Sequence, residues 1–233
     1  MSETSAGTPI PAQTVPWSPL DEYLWYSCEI IADLVEGRLE QRALIASTAR
    51  LQHGERVLAV GPAQRGSWRA LGDGSYMHQS GFAFGNPGFV LTSLAATAIS
   101  NSARRNRAAR DAQPRWVLEG PGEVTVTTRR MHFSHPVHEL YWDWDASGLR
   151  AIDLIAPDAV EVAFIDNNNT HNLARVHTSW ASLIFALTAR TSFPAHPRLL
   201  TQGWLPPDFD KRCALIGRPC HPAARLLLGR GIT

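Results

Sequence analysis

The stretch Gly122-Glu123-Val124-Thr125-Val126-Thr127-Thr128-Arg129-Arg130-Met131-His132-Phe133 decides how this chain is read. It is a strand, a tight polar turn and a second strand, with side chains alternating at a period of two. Working outward, the same period recurs from residue 115 onward. Candidate strands fall at 115–119, 123–127, 130–133, 138–142, 149–155, 160–165 and 171–176. The turns between them carry Pro-Gly, Thr-Arg, Ala-Ser-Gly, Pro-Asp and Asn-Asn-Asn. One late helix is expected at 177–190, with Trp180, Leu183, Ile184 and Leu187 on one face.

Upstream the pattern is different. Residues 56–60 read as a strand entering a Gly-rich stretch from Gly61 to Gly88, with Gly66, Gly72, Gly74, Gly81 and Gly85 between those ends. A helix is expected over 87–112, apolar in its first half and carrying Arg104, Arg105, Arg107 and Arg110 in its second. Apolar residues at helical spacing mark 21–51 as helical, capped by Ser18 or Asp21. Gly37 interrupts that run, so two helices meeting there are equally consistent. The divisions are a disordered arm at 1–16, a helical segment at 17–53, a β domain at 54–197 with a helical insertion at 87–113, and a Pro/Arg-rich tail at 198–233. The tail shows no pattern of its own.

The chain of 233 residues is large enough for one good core plus a helical appendage. A formal net charge of +1 gives no global attraction to nucleic acid or acidic lipid, so an electrostatic partner has to be recognised by a local patch. Lys211 is the only lysine among 22 basic residues, a bias that also follows from a GC-rich genome. Cys28, Cys213 and Cys220 are too few for a disulfide framework and point to a reducing compartment. The polar, Pro-rich first 16 residues lack the features of a signal peptide, and the stretch 75–103 is a poor spanning helix. The expected location is cytoplasmic, including the periphery of a membrane.

Gly122, Val124, Val126, Thr127, Arg130, Met131 and Phe133, followed by Trp142-Asp143-Trp144 and then Leu149, Ile152 and Ile155, carry a family resemblance. Over 54–197 the chain resembles the pleckstrin-homology-like superfamily, in its GRAM and bacterial PH-like forms. Asn101 through Arg110 and Pro114-Arg115-Trp116 make it similar to such proteins of high-GC bacteria. The resemblance implies an α+β fold, a PH-like bent antiparallel β-barrel or sandwich capped by a C-terminal helix. An N-terminal helix and a helical insertion are added to it here. Phosphoinositide-binding members cluster Lys and Arg in their first hairpin loops, and this chain has no Lys there.

Several groups bear chemistry. His132, His135 and His138 contain metal-ligating side chains, yet a strand sends residues three apart to opposite faces. They converge only if 134–137 curls. Cys213-x6-Cys220-His221 is weak as a metal knuckle, and two unrelated thiols in a tail is the better reading. No phosphate loop, dinucleotide fingerprint or nucleophile elbow is present. Arg104, Arg105, Arg107 and Arg110 either complement a helix C-terminus, lie on an anionic membrane, or pair with nucleic-acid phosphates. Trp142 and Trp144, with Tyr141 and Phe133, form an aromatic concentration that is either core or an exposed contact surface.

The expectation is therefore a non-enzymatic binding module without cofactor, metal or catalytic residues. Its partner is a protein or an anionic membrane surface, engaged by Arg104, Arg105, Arg107, Arg110, Trp142 and Trp144. The insertion helix also offers an apolar face for docking a second copy of the chain. The alternatives are a metal-dependent enzyme built on the His132/His135/His138 region and, less favoured, a nucleic-acid-binding protein using the Arg helix.

Overall fold

Helix α1 (Pro19–Glu36) opens with a capping box: the Ser18 hydroxyl accepts the Asp21 N–H at 3.2 Å, and Asp21 Oδ2 accepts the Ser18 N–H at 2.9 Å. Pro19 fills the first turn, where no N–H is needed. Gly37, at φ 72°, ends the helix in the left-handed region. The helix expected to reach residue 51 therefore stops at Gly37. Only a short 3-10 turn follows (Leu39–Gln41), and the chain then runs extended to β1. The computed structural model describes residues 17–73, 75, 101–166 and 168–220. The expected arm at 1–16 and most of the 87–113 insertion lie outside them.

Seven strands form one antiparallel sheet: β1 (Val57–Arg69), β2 (Arg115–Thr127), β3 (Arg130–Ser134), β4 (Leu140–Asp143), β5 (Leu149–Ala156), β6 (Ala159–Ile165) and β7 (His171–His177). Their spatial order is β4-β3-β2-β1-β7-β6-β5, so the first and last strands in sequence meet at the middle. The fold is α+β. Residues 101–111 form helix α2, between β1 and β2.

Two expected breaks are absent. The strand read at 56–60 continues through Gly61, Pro62 and Gly66 to Arg69, and those read at 115–119 and 123–127 are a single strand. Pairing explains both, because β1 and β2 support each other from Val57–Thr127 to Arg69–Arg115. The Pro-Gly signal is absorbed as a bulge. Between the Gln64–Pro121 and Gly66–Leu118 pairs, β2 uses one residue more than β1, and Gly120 takes φ 92°.

Two glycines are required by close approach. A Cβ on Gly61 would lie 2.9 Å from Nε1 of Trp180, whose indole N–H donates to the Val60 carbonyl at 3.1 Å. A Cβ on Gly122 would lie 2.4 Å from the Ser134 carbonyl oxygen and 2.7 Å from the Phe133 ring. The glycine that opens the deciding stretch is there so that β3 can pack against β2.

Helix α3 (Ala181–Ser192) packs against the sheet. Every residue from 181 to 189 is buried, not only the expected apolar stripe. Strands β5 and β6 and helix α1 all pack against it. The buried Thr188 hydroxyl donates to the Ile184 carbonyl at 2.8 Å and accepts the Trp142 indole N–H at 3.1 Å. The tail is not patternless. Helices α4 (Pro197–Leu200) and α5 (Phe209–Leu215) bury Leu199, Phe209 and Cys213, with Trp204 between them, in the same core as Val124, Phe133 and Leu183. Burying each such side chain contributes roughly 1.5–3 kcal/mol.

Candidate functional site

Strand β1 leaves the sheet at Arg69 and β2 returns beside it at Arg115, so residues 70–114 start and finish at one point on the sheet. Helix α2 is anchored there by its C-terminal end. The Leu71 and Gly72 N–H groups donate to the Asp111 carbonyl at 2.8 and 3.0 Å. The Arg115 guanidinium donates to the Arg110 carbonyl at 3.2 Å and to Asp111 Oδ1 at 3.0 Å. The terminal carbonyls of α2 are thus served from outside the helix.

Arg104, Arg105, Arg107 and Arg110 are all exposed. The three-residue steps from Arg104 to Arg107 to Arg110 place those three along one side of the helix. Arg69 and Arg115 add partly exposed guanidinium groups at its base.

The same end of the sheet carries apolar side chains that nothing among the described residues covers. Trp68 is 46% exposed, Leu71 51% and Leu118 60%. Trp68 meets Trp116 edge-on at 5.6 Å, and the Arg175 guanidinium lies 3.8 Å over the Trp116 ring. Arg175 is itself held by Glu161 at 2.7 Å. Exposed aromatic and aliphatic groups beside a row of guanidinium groups make a surface suited to an anionic, partly apolar partner. The sequence does not single out Trp68, Leu71 and Leu118: the Gly-rich context of the first two reads as loop, and the strand at 115–119 gives no sign of which face Leu118 takes.

Trp142 and Trp144 do not belong to this surface. Both are buried, and both indole N–H groups are satisfied inside: Trp142 by Thr188, Trp144 by the Thr127 carbonyl at 3.2 Å. Two large rings with internal partners pack as core, and the residue that β4 exposes is Tyr141.

The deciding stretch proves to be an anchorage. At the β2–β3 turn the Thr127 hydroxyl accepts the Arg129 and Arg130 N–H groups at 3.1 and 2.9 Å and donates to Glu55 Oε1 at 2.7 Å. Arg130 clamps the same carboxylate in bidentate fashion, Nε to Oε1 at 3.0 Å and Nη2 to Oε2 at 2.7 Å. Burial raises the Glu55 pKa, but the bonds from Arg130, the Gln52 region and Thr127 outweigh it and hold the carboxyl below its ordinary value. The segment before β1 is thereby pinned across the outside of the sheet. Nothing in the sequence around Thr127 and Arg130 reveals that Glu55 is their partner.

The three histidines do not converge on one point, although His135 and His138 stack at 5.5 Å between ring centroids. His132 points outward from β3, with Nε2 2.6 Å from Glu139 Oε1, into a polar recess of about 520 Å³ that also meets Arg130 and Tyr141. His135 lies in the following loop, stacked between Phe133 and His138, and its Nδ1 accepts the Val137 and His138 N–H groups at 3.2 Å. Among the described residues, no group of three His, Cys, Asp or Glu side chains is arranged to hold a metal ion. Nearby, Arg65 donates to the Glu139 carbonyl at 3.0 Å and its Nε lies 2.9 Å from Glu119 Oε2, an ion pair without good hydrogen-bond geometry, while Ser67 donates to Glu119 Oε1 at 2.7 Å.

Comparison with protein-family models, curated proteins and solved structures returns no match for this chain. Among the described residues, no helix is long and apolar enough to cross a membrane.

Proposed function

We propose that this chain is a non-enzymatic, PH-like binding module that docks on anionic membrane surfaces at the β1–β2 end of its sheet. The observation carrying the proposal is the row of exposed guanidinium groups at Arg104, Arg105, Arg107 and Arg110, set next to exposed Trp68, Leu71 and Leu118. The strand order and the helix packed against the sheet support the PH-like reading. The aromatic and leucine side chains enter the interfacial layer while the arginines stay among anionic headgroups. Each cation near such a surface contributes about 1 kcal/mol, so the attachment is peripheral and weakens as salt rises.

The test is co-sedimentation with phosphatidylcholine vesicles, with and without phosphatidylserine. Binding is expected only with the anionic lipid. Reversing three charges (R104E, R107E and R110E together) is expected to weaken it at least 100-fold, on the basis of about 1 kcal/mol for each charge removed. The melting temperature should stay nearly unchanged, because these side chains are exposed. Equal binding to neutral vesicles, or none to either, overturns the proposal. A gel shift with nucleic acid at physiological salt, lost in the same variant, reassigns the surface to phosphates of another kind.

A further inference from the structure

A cavity of about 470 Å³ lies where α1, the β5–β6 turn, the start of α3 and the α4–α5 connection meet. Its walls are largely apolar: Leu20 and Leu24 from α1, Leu154 from β5, and Trp204 and Leu205 from the connection. Leu24, Leu154 and Trp204 also belong to the buried core, so packing outside the cavity fixes the elements that enclose it. A space of this size suits a small organic molecule.

The polar groups around it are mostly donors without acceptors. Ser182 lines the cavity, is only 5% exposed, and its hydroxyl makes no hydrogen bond among the described residues. It sits in the first turn of α3, where Trp180 supplies no side-chain cap. The Ala181 and Ile184 N–H groups donate to the Thr178 and Trp180 carbonyls at 3.1 and 3.0 Å, whereas those of Ser182 and Leu183 have no acceptor among the described residues. The indole N–H of Trp204 is also buried without an acceptor. Arg198, on α4, lines the same cavity. Its Nε donates to Asp153 at 2.9 Å and its Nη1 to the Gly203 carbonyl at 3.1 Å, which leaves Nη2 uncommitted. The acidic group on the wall, Asp21, already accepts from Ser18 and pairs with Arg212 at 2.7 Å.

We infer that this cavity binds a medium-chain monocarboxylate, with the carboxylate at the first turn of α3 and the alkyl chain against Leu20, Leu24, Leu154 and Trp204. A carboxylate only accepts hydrogen bonds, which is what the Ser182 hydroxyl and the two free N–H groups require. The N-terminus of α3 favours negative charge, and the Arg198 guanidinium adds to that attraction. The alkyl chain leaves water for carbon walls, which drives the other half of the binding. An alcohol of the same length keeps the second contribution and loses most of the first. The site shares no residue with the arginine surface on α2, so the two readings stand or fall separately.

The experiment titrates the full-length chain with decanoate, below its micellar concentration, by calorimetry. Saturable one-to-one binding is expected, with 1-decanol at least about tenfold weaker, the difference that a charge-assisted hydrogen bond supplies. Ser182→Ala removes one donor and should weaken decanoate about tenfold at an unchanged melting temperature. Leu20→Trp narrows the cavity from a half-buried position and should abolish binding. The R104E/R107E/R110E variant should bind decanoate as the wild type does. A decanoate analogue with a terminal diazirine, photolysed on the wild-type chain and mapped by mass spectrometry, should label 20–24, 154–157 or 204–207. That map decides alone if a variant does not fold. No binding of decanoate, equal affinity for 1-decanol, full binding by folded Leu20→Trp, or a label elsewhere would each overturn the inference.

Discussion

The two ends of the sheet differ in how their apolar residues are covered. At the α3 end, every apolar side chain from Ala181 to Ala189 is enclosed by β5, β6, α1 and the tail helices. At the β1–β2 end, Trp68, Leu71 and Leu118 stand exposed beside a helix whose four arginines face water. Residues 181–189 hold no charged side chain and α2 holds four arginines, so composition and coverage together separate a stability element from a contact surface, and substitutions at the two ends should fail differently.

The largest expected effect is at the closed end. Phe133→Ala leaves a cavity in the core beneath β3 and should cost about 3–5 kcal/mol in chemical denaturation. A loss below about 1 kcal/mol would mean that the enclosed core is much looser than its burial indicates. Asp21→Ala removes the capping box and strands Arg212, which is largely buried on the tail. A loss of about 2–3 kcal/mol is expected, from cap and ion pair together. It should release the tail first, which limited proteolysis after residue 196 would show.

The Glu55 anchorage, just before the start of β1, has a pH signature. Because its folded pKa is depressed, its contribution is fully present above the ordinary glutamate value of about 4.3 and disappears as pH falls through the folded value. Glu55→Gln should therefore cost about 1–2 kcal/mol at neutral pH. The gap between variant and wild type should close in acid, measured by urea midpoints across that range; a constant gap would remove the ionic part of the argument. The smallest stability effect is expected at Trp68→Ala, within about 0.5 kcal/mol, combined with weaker attachment to anionic vesicles. A large loss of stability there would move Trp68 from the open surface to the core.

How much was legible depended on the distance over which a signal acts. The Ser18–Asp21 cap lies within one helical turn and could be read directly, as could the turn at Thr127–Arg130. The Arg helix was also visible as a cluster. Trp142 and Trp144 are visible as an aromatic concentration around the end of a strand, but spacing along the chain does not say which face is inside. The continuous strands through Pro62 and Gly120–Gly122 were hidden because local turn chemistry favoured breaks. The pairing energy that overrides those breaks comes from a strand more than fifty residues away.

Taken by itself, the order of residues determined the short-range choices: where α1 begins and ends, where strands alternate, and which helix carries the guanidinium groups. Those outcomes depend on φ preferences, caps and side-chain period, which act over a few residues. The tertiary structure alone decided that Glu55 answers Thr127 and Arg130, that every residue of α3 from 181 to 189 is enclosed, and that the tail joins the core. Each of these is a contact between surfaces whose complementarity exists only after the intervening chain has closed, and no local pattern encodes it.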